Sequence, residues 1–170
     1  MMLTRRKAIA LLPTSMVAAS GFSQFGVAQT REGAQNAQAP PAEIVTLIDT
    51  VFKAFNSKDF ALLKSVYGDN LVIIDGFGRY RWIGPNALAE WWADGETWAK
   101  KGGVESEHLL SQGIRAWGVS GDRAYASISA TLTITLKRGE PIIRPGILTF
   151  TFGKLGESWK AEGHAWGRLS

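Results

Sequence analysis

Residues 124–136, AYASISATLTITL, alternate between two chemical characters without interruption. The even positions, Ala124 to Leu136, carry only Ala, Ile and Leu; the odd ones carry Tyr125, Ser127, Ser129 and then three threonines. A period of two over this length specifies a strand with one apolar and one polar face. Such a strand needs partners. Ser120-Gly121-Asp122 predicts a hairpin turn from a preceding strand over about residues 108–119. Leu148, Phe150 and Phe152 alternate with Thr149 and Thr151, and Lys154-Leu155-Gly156 turns into a last strand over 158–166. The C-terminal half is therefore a run of antiparallel strands.

The preceding residues follow a different period. Ile44, Leu47, Ile48, Val51, Phe52 and Phe55 recur at helical spacing behind Pro40-Pro41. Asp59 is placed to cap a second, short helix through Phe60, Leu63, Val66 and Tyr67, ending at Gly68. Leu71–Asp75 and Arg79–Ile83 read as short strands around the turn Gly76-Phe77-Gly78. Gly84-Pro85-Asn86 then opens a third helix bearing Leu88, Trp91 and Trp92. Helices first and strands afterwards define an α+β fold. A long antiparallel sheet with three N-terminal helices on one face must curve around them, and the curvature leaves a hollow suited to a ligand.

Two segments stand outside this pattern. Residues 1–28 join a basic Arg5-Arg6-Lys7 to a mildly apolar stretch, Ala8–Ala19, and Gly26 and Ala28 suit a cleavage site, so the segment reads as an export signal peptide. Thr4-Arg5-Arg6 also partly fits a twin-arginine signal, with Ala8 where a bulky apolar residue is usual; the alternative is an ordinary secretory leader. Pro13 breaks the apolar stretch, so stable membrane insertion is not expected after cleavage. The expected location is periplasmic or secreted. Residues 29–41, rich in Ala, Gln, Pro and Gly, read as a disordered linker, and 42–170 as the folded domain. Three of the chain's 19 basic residues lie in the leader, which leaves 16 bases against 15 acids. A nearly neutral body gives no reason to expect nucleic acid. The absence of cysteine excludes disulfides and thiolate chemistry.

The stretches AFNSKDFALLKSVYGDNLVIID and GRYRWIGPNALAEWW, with the closing WKAEGHAWGRLS, resemble the nuclear transport factor 2-like superfamily, whose relatives include SnoaL-like cyclases and ketosteroid isomerase. The resemblance covers about residues 42–168. It implies a cone-shaped α+β fold, often a homodimer through its sheet, with a pocket for a small apolar molecule. It aligns Asp75 with the general base of ketosteroid isomerase. That enzyme also needs two donors for the developing oxyanion, and here Val51 and Leu148 stand at their positions, so steroid isomerisation is not expected.

Asp75 therefore has two readings. A carboxylate at the mouth of an apolar pocket gains proton affinity and can act as a base; an Asp before Gly can equally cap a turn. His164 is either a pocket residue working with Asp75 or a hydrogen-bonded strand histidine. In a regular strand it faces away from Trp159 and Ala161, so only a bulge lets Trp159 and His164 both enter the cone. Tyr67, Trp82, Trp91, Trp92 and Trp117 are the candidates for an aromatic lining, against the simpler role of core. Arg79 and Arg81 could meet an acidic ligand or form a solvated edge. The Ser127–Thr133 row could form an outer face for dimer contact. No set of residues has metal-ligand spacing, and no cofactor motif is present. These features lead to two expectations: an exported pocket protein, with or without cofactor-free isomerase, cyclase or hydratase activity through Asp75, or a non-catalytic dimeric binding module of the cell envelope.

Overall fold

The computed structural model describes residues 39–169; the expected leader and most of the linker lie outside them. Helix α1 (Ala42–Asn56) buries Ile44, Ile48, Val51 and Phe52 on one face, the face the helical spacing marks. Its last residue, Asn56, acts as a strand segment in miniature. The side-chain nitrogen donates to Leu109 O at 2.9 Å, and the side-chain oxygen accepts from Leu109 N–H at 2.8 Å. Three residues later, Asp59 accepts from Leu62 N–H at 2.9 Å and caps α2 (Phe60–Val66). Each polar residue of the Asn-x-x-Asp motif thus satisfies backbone groups that would otherwise lack partners.

Six strands follow: β1 (Tyr67–Ile74), β2 (Arg81–Gly84), β3 (Val104–Ser120), β4 (Arg123–Leu136), β5 (Ile142–Leu155) and β6 (Ser158–Arg168), with α3 (Ala87–Lys101) between β2 and β3. Their order in the single sheet is β2-β1-β6-β5-β4-β3. The antiparallel sheet expected from the sequence is in fact mixed. All neighbours are antiparallel except β1 and β6, which run parallel. Parallel neighbours need a long crossover, and here everything from β2 to β5 supplies it. The alternation in β4 divides as expected: Ala126, Ile128, Ala130 and Ile134 are fully buried. On the other face the Ser127 and Thr149 hydroxyls are 2.9 Å apart.

Two irregularities shape the sheet. In β3 the pairing with β4 slips on both sides of Ile114, next to Gly113 at φ +100°. Such an insertion bends a strand and increases its twist. In β6 the register slips at Glu162: Thr151 pairs with Gly163, while Phe152 pairs with Ala161. The unpaired Glu162 resets the alternation, so Trp159, Ala161 and His164 are all buried. Gly163, at the slip, lies against β1. A side chain there would run into the Val72 carbonyl, so only glycine lets the parallel pair close.

Candidate functional site

Asp75 follows β1 directly, at the start of a tight loop. Its N–H donates to Tyr80 O at 3.2 Å, and Tyr80 N–H returns to Phe77 O at 3.1 Å. One carboxylate oxygen, Oδ1, accepts from Gly76 N–H at 2.6 Å, which is the turn-capping role. The other, Oδ2, accepts from Trp91 Nε1–H at 3.0 Å, from the buried face of α3. The two readings of Asp75 are thus divided between its two oxygens. Burial pushes the carboxyl above the ordinary carboxylate range; the bonds from Trp91 and Gly76 oppose this, and the charge of Glu107 adds to it.

Asp75 borders two hollows between sheet and helices. The outer one, about 430 Å³, is lined by Phe77, Trp92, Trp98 and Arg144 among others. The inner one, about 60 Å³, lies against Val51, Tyr67, Leu148 and His164. Phe55, Asp75, Trp91, Leu132 and Trp166 line both, so Asp75 and Trp91 stand at the seam. The outer hollow has room for a small organic body, whereas the inner one is sized for a functional group.

His164 is 7% exposed. Its Nδ1 lies 2.7 Å from Tyr67 Oη, and its ring packs edge-on against Trp91 with centroids 4.9 Å apart. Burial lowers its pKa to about 4 and raises that of Tyr67, so both are neutral at pH 7. The tautomer then follows from satisfaction of buried donors. Tyr67 has only His164 as a side-chain partner among the described residues, so its proton is satisfied by donating to Nδ1. The imidazole proton is left on Nε2. That nitrogen has no hydrogen-bond partner among the described residues. No buried side-chain nitrogen or oxygen among the described residues is left unpaired, so Nε2–H opens on the inner hollow that His164 lines.

The structure brings Asp75, His164, Tyr67, Trp91 and Trp92 to these hollows and leaves two candidates elsewhere. Trp82 is 1% exposed, with its Nε1–H bonded to Asp94 Oδ2 at 2.8 Å. It is core, held by the same Asp94 that binds Arg79 at 3.1 Å, and Asp94 has a lowered pKa from those two donors. Trp117 pairs across from Ala126 on the inner sheet face and packs against the core away from both hollows. Arg79 lies in the turn before β2, not on it with Arg81, and pairs with Glu90 and Asp94 of α3. His108 is exposed on β3. Among the described residues no group of three or more acidic or histidine side chains is placed to hold a metal. Sequence reading missed Trp98, seven residues after Trp91 on α3, and Arg144, which shares the parity of Leu148, Phe150 and Phe152 on β5. Both spacings were available as signals.

A family model described as a SnoaL-like domain matches residues 44–165. Among curated protein sequences none matches. Several solved structures share the fold. One is a provisionally assigned aromatic-ring hydroxylase from Novosphingobium aromaticivorans, with TM-score 0.64 and 17% identity, covering 78% of this chain and 93% of that one. Another is the hexachlorocyclohexane dehydrochlorinase LinA-type3 from Novosphingobium barchaimii, at 0.64 and 16%, covering 76% and 86%. A third is a nuclear transport factor 2-like protein of unknown function from Pseudomonas putida, at 0.60 and 18%, covering 74% and 83%. At these identities the likeness is one of fold.

Proposed function

The chain belongs to the SnoaL-like family of the nuclear transport factor 2-like superfamily, and we propose that its hollow binds a small, largely apolar molecule and moves a proton on it without a cofactor, with Asp75 as base. The observation that carries this reading is the position of Asp75: a half-buried carboxylate of raised proton affinity at the seam of both hollows. The reaction class is proton abstraction beside a carbonyl, as in an isomerase, cyclase or hydratase. The apolar body lies in the outer hollow and its carbonyl enters the inner one. Asp75 Oδ2 takes the proton from carbon, held in line by the Trp91 indole. Charge then grows on the carbonyl oxygen, and His164 Nε2–H is the donor that faces it. Val51 and Leu148, both apolar, line the same inner hollow; a neutral imidazole takes over a task that they cannot perform.

The experiment is solvent-deuterium incorporation into a panel of aromatic and alicyclic ketones, followed by NMR, with the parent and Asp75→Asn. Incorporation by the parent that the variant loses supports the base. Incorporation that survives the substitution refutes it, and a parent that binds these ketones yet exchanges none favours a binding module instead. The leader composition supports action in the periplasm or outside the cell, to be checked by the N-terminus of protein recovered from those fractions. The Ser/Thr face of β4 and β5 supports a homodimer, to be checked by light scattering.

A further inference from the structure

The rim of the outer hollow carries charge of both signs, including Glu96 and Lys100 on α3. Acidic side chains stand on the β3 side, where Glu107 is held by Lys58 at 2.8 Å and Glu105 lies nearby. The β5–β6 side carries Arg144 on β5 and Arg168 at the end of β6, while Lys137, just past β4, lies beside the start of β3 with its backbone N–H bonded to Gly103 O at 2.9 Å. Arg168 pairs across from Gly146, two residues from Arg144. Both arginines therefore extend the inner, cavity-facing row that contains Leu148 and Phe150. Gly146 has no side chain because the Trp166 ring occupies that space. None of the three cations has an acidic partner within ion-pair distance among the described residues. Arg144 is also oriented: its guanidinium lies 5.7 Å from the Trp98 ring across the mouth, and Trp98 packs on Phe77, centroids 6.0 Å apart. A solvated rim would not need a half-buried arginine laid on an aromatic plane.

We infer that the ligand of this hollow is an acid: a flat apolar body carrying a carboxylate, which Arg144 and Arg168 bind while the body lies on Phe77, Trp91 and Trp98. This deepens the reading of the hollow as a ligand site and rests on it, but it concerns the end of the molecule farthest from Asp75. An arginine fork matches a carboxylate in shape and charge, and an uncharged isostere lacks that match. The arrangement also fixes direction, because the acidic head held at the β5–β6 side aims the rest of the molecule toward the seam.

The test is calorimetric binding of naphthalenecarboxylate and of its uncharged isostere naphthalenecarboxamide. The parent binds the acid about tenfold more tightly than the amide, and R144Q/R168Q removes that preference by weakening the acid far more than the amide. With the parent alone, raising salt weakens acid binding and leaves the amide unaffected, a readout that does not depend on the variant folding. Equal affinities for the two probes, no binding of the acid, or equal losses of both in the variant overturn the inference. Because the assay involves no turnover, failure of Asp75 as a base would leave its result unchanged.

Discussion

Tyr67 Oη and His164 Nδ1 meet at 2.7 Å across 97 residues of chain, and this one bond determines which nitrogen of the imidazole faces the hollow. Tyr67→Phe removes the hydroxyl and leaves a buried ring nitrogen without a partner. The expected cost is about 1–3 kcal/mol in denaturant unfolding. Nitrogen NMR should show the Nε2–H tautomer in the parent and a mixture in the variant. A single Nδ1–H form in the parent would contradict the assignment.

Stability should fall on mild acidification. His164 has a folded pKa of about 4 against an ordinary 6.5, so below pH 6.5 the unfolded chain binds a proton that the folded chain refuses. The loss runs from about pH 6.5 down to about pH 4 and amounts to about 3 kcal/mol for this group. Asp75, with a raised pKa, acts in the opposite sense near the carboxylate range. Denaturant midpoints measured between pH 7 and 4 check this, and His164→Gln should flatten the slope. Above pH 10 Tyr67 adds a second decline, because it ionises more readily in the unfolded chain.

Asp75→Asn separates the two duties of this residue. Asparagine still offers one oxygen to Gly76 N–H but turns its NH2 toward Trp91 Nε1–H, so the turn and the fold persist at a cost of about 1–3 kcal/mol. Proton abstraction should drop by about 100- to 10,000-fold. A variant that no longer folds would show that the ionised carboxylate is structural.

Trp91→Phe tests the link between indole and base. The Trp91 bond lowers the Asp75 pKa, so its loss should push the carboxyl further up and move the acid limb of the pH–rate profile to higher pH. A merely structural role for Trp91 would change the rate and leave that limb in place.

Gly163→Ala should destabilise the chain severely, by about 3 kcal/mol or more, because the new methyl meets the rigid Val72 backbone rather than a flexible side chain. Thermal melts of this variant against Gly167→Ala, where nothing stands within 4 Å, provide the comparison.

Legibility in the sequence followed how local each cause was. The β4 alternation, the α1 stripe and the Asp59 cap depend on neighbours within a turn or two, and each reads directly from the residues. Asp75 was legible as two competing roles, and the fold gives one role to each oxygen by bringing Trp91 and Gly76 to opposite sides of the carboxylate. The inward turn of His164 was not legible. It depends on the slip at Glu162, beside the contact that Gly163 makes with Val72 on a strand distant in sequence. The parallel β1–β6 pair was hidden for the same reason. The sequence offered its tryptophans as lining or core but did not sort Trp82 and Trp117 from Trp91 and Trp92, because a buried indole in the core and one at a hollow carry the same residue type.

The parallel neighbours β1 and β6 also impose an order on biosynthesis. β1 leaves the ribosome before the other five strands, and β6, which covers its inner edge, leaves after them. Until β6 appears, β1 has a bare flank and the inner hollow lacks His164 and Trp166. A nascent chain of this kind matures in one late step, and a chain cut short before Ser158 is left with an open, adhesive seam instead of a weakened site.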